Sequence, residues 1–147
     1  MPGGVRMNVT NNPVSAYRQT SVKTAGQGKL IVMLYDEAIR QIDRAVELMQ
    51  IKPLQIENIH NALVKAQDVV TELMVGLDFE KGGEIAKNLL SIYIYVNEKL
   101  RDANIKKTIP FAQEARNIMA ELQSAWAQLA NQAPAPDDPE NGIHIAG

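Results

Sequence analysis

The 147 residues contain no cysteine, so the chain has no disulfide, no thiolate nucleophile and no Cys-held metal, and nothing in it asks for an oxidising compartment. Aromatics are scarce as well, with two Phe, one Trp and four Tyr against a hydrophobic share of 46%. The apolar mass therefore lies in Leu, Ile, Val, Ala and Met, a composition that suits a helical core better than a sandwich or barrel. No run approaches the roughly 18 apolar residues of a membrane span. The opening stretch MPGGVRMNVT also lacks the apolar segment of a signal peptide, so a cytoplasmic protein is the expectation.

A large excess of one charge is missing too. The net charge of -2 is unevenly spread: residues 1–26 carry Arg6, Arg18 and Lys23 and no acid, whereas residues 132–147 carry Asp137, Asp138 and Glu140 and no Lys or Arg. The body between them holds 12 of the 15 basic and 14 of the 17 acidic residues. That balance leaves no basic stripe for releasing phosphate counterions and no basic amphipathic face for a membrane surface, so neither nucleic acid nor a membrane is an expected partner.

What the chain does have is four segments of helical period. The first, about 27–50, repeats Leu30, Leu34, Ala38, Ile42, Ala45 and Met49 at steps of four and three and stops before Pro53. The second, about 54–78, carries Ile56, Ile59, Leu63, Ala66, Val70, Leu73 and Leu77. The third, about 83–104, opens at a Gly82-Gly83 pair and places Ile85, Leu89, Ile92, Val96 and Ala103 on one face. Its middle, LLSIYIYV, is strand-like in composition, but its spacing and flanks favour helix. The fourth, about 109–131, aligns Ala112, Ala115, Met119, Leu122, Trp126 and Leu129, with Pro110 in the first turn where a missing N–H costs nothing.

Connections of about three to six residues force consecutive helices antiparallel. The expected fold is all-α: an up-down antiparallel four-helix bundle over residues 27–131. Residues 1–26 form an N-terminal arm without long period. The segment 132–147, with APAPDDPENG, reads as a disordered acidic tail.

Candidate chemistry is thin. Glu57 and His60 form a Glu-x-x-His pair of the kind that builds di-iron sites in bundles, but such sites need two pairs and two further glutamates. The only other histidine, His144, lies in the tail, so a solvated helix face is the better reading. Asp78, Glu80 and Glu84 in GLDFEKGGEIAKNL (76–89) are spaced like paired carboxylates, yet a short loop of alternating charges leaves them solvated. The glycine pair fits neither a P-loop nor a dinucleotide fingerprint. No catalytic residue, metal ligand or cofactor is expected.

More informative is apolar surface beyond what four stripes use. Leu90, Tyr93, Ile94 and Tyr95 lie off the third stripe, Val64, Val69, Met74 and Val75 off the second, and the arm adds Val14, Tyr17 and Val22. Either these residues widen the core, or they line a groove for an amphipathic helix that the arm covers when empty.

The stretches SAYRQTSVKTA and KLIVMLYDEAIRQIDRA (15–45), GLDFEKGGEIAKNL, DANIKK (102–107) and the alanine-rich last helix with AW (125–126), in that order, resemble the flagellar secretion chaperones of the FliS family over about residues 13–130. The resemblance implies a cytoplasmic, non-enzymatic bundle. Its partner would be the disordered C-terminal segment of flagellin, which it keeps from polymerising and delivers to the export gate of the flagellar type III apparatus. Tyr17 then matches the tyrosine of an arm that caps the client groove.

The groove is expected where the second and third segments meet, with Val70, Met74, Leu77, Leu89, Tyr93 and Val96 on its walls and Val14, Tyr17 and Val22 closing it. A monomer or weak dimer is expected. The alternative is a scaffold bundle that self-associates through the same surface. One departure from the family pattern is Thr24-Ala25-Gly26-Gln27 where Thr-Ala-Ser-Pro is usual. Glycine replaces a serine N-cap there at a cost of only a few tenths of a kcal/mol.

Overall fold

The computed structural model describes residues 27–132, which fold into four helices: α1 Gln27–Met49, α2 Ile56–Val75, α3 Phe79–Lys106 and α4 Ile109–Gln132. The arm and the tail lie outside the described residues, and with them Val14, Tyr17 and Val22. α1 packs on α2 and α4, and α3 closes the ring against the same two helices. Side-chain contacts fix the antiparallel register. Asp36 meets Gln123 while Asp43 meets Arg116, and Asn97 meets Gln67 while Asn104 meets His60. The architecture is an all-α antiparallel four-helix bundle, and no strand occurs among the described residues.

The first stripe and the second from Ile59 onward are the core-forming faces, while Ile56 at the start of the second is 53% exposed. Leu30, Leu34, Ala38, Ile42, Ala45 and Met49 are all buried, as are Ile59, Leu63, Ala66, Val70 and Leu73. α2 stops at Val75, three residues short of the expected end, because the chain turns to a new cap. Gly76 N–H closes on Glu72 O at 3.1 Å, and Asp78 Oδ1 then accepts from the N–H groups of Glu80 and Lys81, both at 3.0 Å. An aspartate N-cap satisfies two otherwise orphaned donors and starts α3 at Phe79. Leu77 thus belongs to the connection, half-buried against the core, rather than to α2.

Gly83 interrupts α3 after its first turn, with φ 51° and ψ -122°. That conformation is reached readily only without a Cβ. The long run of α3 then begins at Glu84, whose carboxylate sits at the positive end of the helix dipole. The bend also turns the buried stripe from the expected one: Ala86, Tyr93 and Leu100 join Leu89, Val96 and Ala103 inside, while Ile85 is 64% exposed. At the far end Lys107 adopts the left-handed conformation and donates from Nζ to Asn104 Oδ1 at 2.7 Å, terminating the helix.

Candidate functional site

The apolar end of the bundle is where α1 begins and α2 ends. Leu30, Ile31 and Leu34 of α1 face Leu73 and Leu77 across a cleft whose inner wall is Tyr93 of α3 and Trp126 of α4, with Gln27 and Glu72 at its polar margin. Its volume is about 40 Å³, room for a few waters and too little for a leucine side chain. Gln27 is also the residue through which residues 1–26 join α1, so the arm is tethered at the mouth of the cleft.

Behind the cleft lies a buried polar contact across the diagonal of the bundle. The hydroxyls of Tyr35 on α1 and Tyr93 on α3 are 2.5 Å apart, with ring centroids 6.4 Å apart and planes tilted by 50°. Tyr35 is 0% and Tyr93 2% exposed. Burial pushes both hydroxyls above the ordinary tyrosine pKa, the Tyr35 hydroxyl furthest. The Trp126 indole beside Tyr35 pulls the other way.

The residues expected on the groove walls divide by position. Val70, Leu89, Tyr93 and Val96 are in the core, reachable from outside only along the cleft or by displacement of α3. Met74 and Leu77 are half-buried against the core's edge. The cleft thus brings together Leu77 and Tyr93 from that set and adds Leu30, Leu34 and Trp126, which periodicity alone assigned to the core.

A second apolar surface runs along the outer seam of α2 and α3. On α2 the seam positions are His60, Val64, Gln67, Thr71 and Met74, and on α3 they are Leu90, Ile94, Asn97, Arg101 and Asn104, each at alternating steps of four and three. Neutral hydrogen bonds stitch it: Gln67 Nε2 donates to Asn97 O at 3.3 Å, Asn97 Nδ2 reaches Thr71 Oγ1 at 3.3 Å, and Asn104 Nδ2 meets His60 Nδ1 at 2.8 Å. Beside these bonds Ile94 is 45% and Ile105 71% exposed. His60 is therefore a seam residue. Among the described residues no group of three or more His, Cys, Asp or Glu is placed to hold a metal, and no helix is long and apolar enough to cross a membrane.

A small apolar cleft at one end of a helical bundle is a shape that can hold polypeptide. Comparison with known proteins gives that reading a family: the profile described as Flagellar protein FliS matches residues 10–133. The chain belongs to the FliS family. It is 33% identical over 129 residues to the flagellar secretion chaperone FliS of Salmonella typhimurium strain LT2, an alignment that covers 84% of this chain and 94% of that one. The FliS of Bacillus subtilis strain 168 is 31% identical over 117 residues, covering 80% and 85%. That of Escherichia coli K12 is 28% identical over 122 residues, covering 82% and 88%.

Membership gives the chain a chaperone role in flagellar export, which asks for binding surface and no catalytic group. Of the family-like stretches in the sequence, MLYD (33–36) supplies Tyr35 behind the cleft and Asp36 for the α4 contact, and AW (125–126) supplies the indole of the inner wall.

Proposed function

We propose that this FliS-family chain binds the C-terminal segment of flagellin, keeps it from polymerising in the cytoplasm, and carries it to the flagellar export gate. The observation that carries the reading is the apolar cleft of Leu30, Leu34, Leu73, Leu77, Tyr93 and Trp126, opening at the end of the bundle where the arm joins α1. Val14, Tyr17 and Val22 of the arm cover it until the client arrives, and the client then continues along the α2–α3 seam past Met74, Leu90 and Ile94.

Energetics favour two patches over one. Docking a single helix buries roughly 800 Å² of apolar surface, about 20 kcal/mol gross, whereas ordering about 20 residues costs on the order of 20–40 kcal/mol of backbone entropy. A client that reaches both the cleft and the seam, with part of its helix already formed, offsets that cost.

The test is titration of the full chain with a synthetic peptide of the C-terminal 40 or so residues of the host's flagellin, read by calorimetry and by light scattering after size exclusion. The expected result is a one-to-one complex. A dimer that ignores the peptide would overturn the reading and leave a self-associating scaffold in its place.

A further inference from the structure

Hydroxyl bookkeeping at the tyrosine pair leaves a donor over. Tyr35 and Tyr93 bring two O–H donors to one short contact, and a single hydrogen bond between them uses only one. Tyr35 is fully buried and off the cleft, so its O–H has the Tyr93 oxygen as its acceptor, and the Tyr93 O–H is then left over. Of the two tyrosines, Tyr93 is the one on the cleft wall. No other hydrogen bond is made by Tyr93 among the described residues.

Resting on the cleft reading above, we propose that Tyr93 is a specificity-determining residue whose hydroxyl donates to an uncharged amide oxygen of the polypeptide in the cleft, either an Asn or Gln side chain or a main-chain carbonyl at a client helix end. The surroundings select this class. Leu30, Leu34, Leu73 and Leu77 offer nothing polar, so a carboxylate drawn in would be desolvated against a single hydroxyl, a poor exchange. An apolar side chain would bury the hydroxyl without an acceptor, which is also unfavourable. An amide oxygen needs one donor and brings no net charge. Tyr35 does not line the cleft; it is a positioning residue that aims Tyr93.

The test uses the full chain and the same flagellin peptide. Tyr93→Phe keeps the ring and removes the donor, and should weaken binding roughly 5- to 10-fold with the helical circular dichroism intact. Tyr35→Phe leaves the Tyr93 hydroxyl in place and should weaken binding by less than about 3-fold. Replacing each peptide Asn and Gln in turn by Leu then locates the acceptor: one replacement weakens binding to the parent chain but not to Tyr93→Phe if a side chain is used, and none does so if the main chain is used. Unchanged affinity in Tyr93→Phe overturns the proposal. The cleft reading is judged separately by Leu77→Glu at the half-buried rim, which should abolish binding with the helical signal intact whatever the outcome at Tyr93. If Tyr93→Phe fails to fold, Tyr93 replaced by 3-fluorotyrosine, a stronger donor of nearly the same shape, should tighten binding, and an unchanged affinity counts against the proposal equally.

Discussion

Two glycines seven residues apart at the α2–α3 junction should answer to alanine with opposite signs. Gly76 has φ -79° and ψ -3°, inside the range of any L-residue, and a Cβ built on it meets Glu72 O at 3.5 Å and Leu73 O at 3.7 Å, ordinary contact distances. Gly76→Ala should therefore stabilise the bundle by about 0.4–1 kcal/mol through the entropy it removes from the unfolded chain. Gly83 has open space around its Cβ position, with nothing within 4 Å, but its φ is 51° with ψ -122°. The penalty there is purely conformational, about 1–3 kcal/mol.

Set against the same entropic gain, Gly83→Ala should lose about 0.5–2 kcal/mol. Urea unfolding followed by circular dichroism at 222 nm separates the two, since the midpoints should move in opposite directions at equal slope. Two shifts of the same sign would refute the argument that backbone conformation, not space, dictates glycine at position 83.

Core and rim residues of the expected groove should part company in the same way. Val96 is fully buried, so Val96→Glu places an unpaired carboxylate in the core at a cost on the order of 3–5 kcal/mol and should unfold much of the population. Leu77→Glu, at the cleft rim, should keep the helical signal while losing flagellin peptide binding. The reverse pattern would move the site. Alkali tests the tyrosine pair. Burial raises both pKa values above the ordinary 10.0, so their stabilisation is complete below about pH 10 and is lost as pH climbs toward the folded values. Each tyrosine should remove about 1.4 kcal/mol of unfolding free energy per pH unit above that point. Tyr35→Phe should reduce the slope between about pH 10 and 11.5, and an identical slope would show that the pair is not protected in the folded state.

The legible parts of the fold are those that a single physical signal controls. The stripes of α1 and α2 follow the helical period without interruption, and burial follows them residue by residue from Leu30 to Met49 and from Ile59 to Leu73. α3 resisted because its period is restarted by one glycine. With Gly83 off the helical path, the face presented to the core is set by Glu84 onward, which brings Ala86 and Tyr93 inward and leaves Ile85 in solvent. Apolar spacing alone ranks Ile85 above Ala86, and only the bend reverses them. The same restart explains why Tyr93, off the stripe by pattern, is interior by packing.

The cleft was harder to see for a different reason, since its walls come from four helices and no segment announces it. Tyr35 and Trp126 stand in the stretches that carry the family likeness, yet what they do depends on Tyr93 being 58 positions away in sequence from Tyr35 and in contact through space. Seam chemistry adds what hydrophobic pattern ignores. The α1–α4 flank is joined by a charge-assisted contact, Arg116 Nε to Asp43 Oδ1 at 3.0 Å, with Gln123 Nε2 on Asp36 Oδ1 at 3.0 Å one layer on. The α2–α3 seam relies on neutral amide and hydroxyl bonds, two of them at 3.3 Å. α1 also packs more extensively on α2 and α4 than α3 does on either, so the wall that carries Tyr93 is the less firmly held. If a client helix is to enter a cleft of about 40 Å³, the wall that yields is α3. The polar residues Gln67, Thr71 and Asn97, poor choices for a tight seam, suit one that must part and close again.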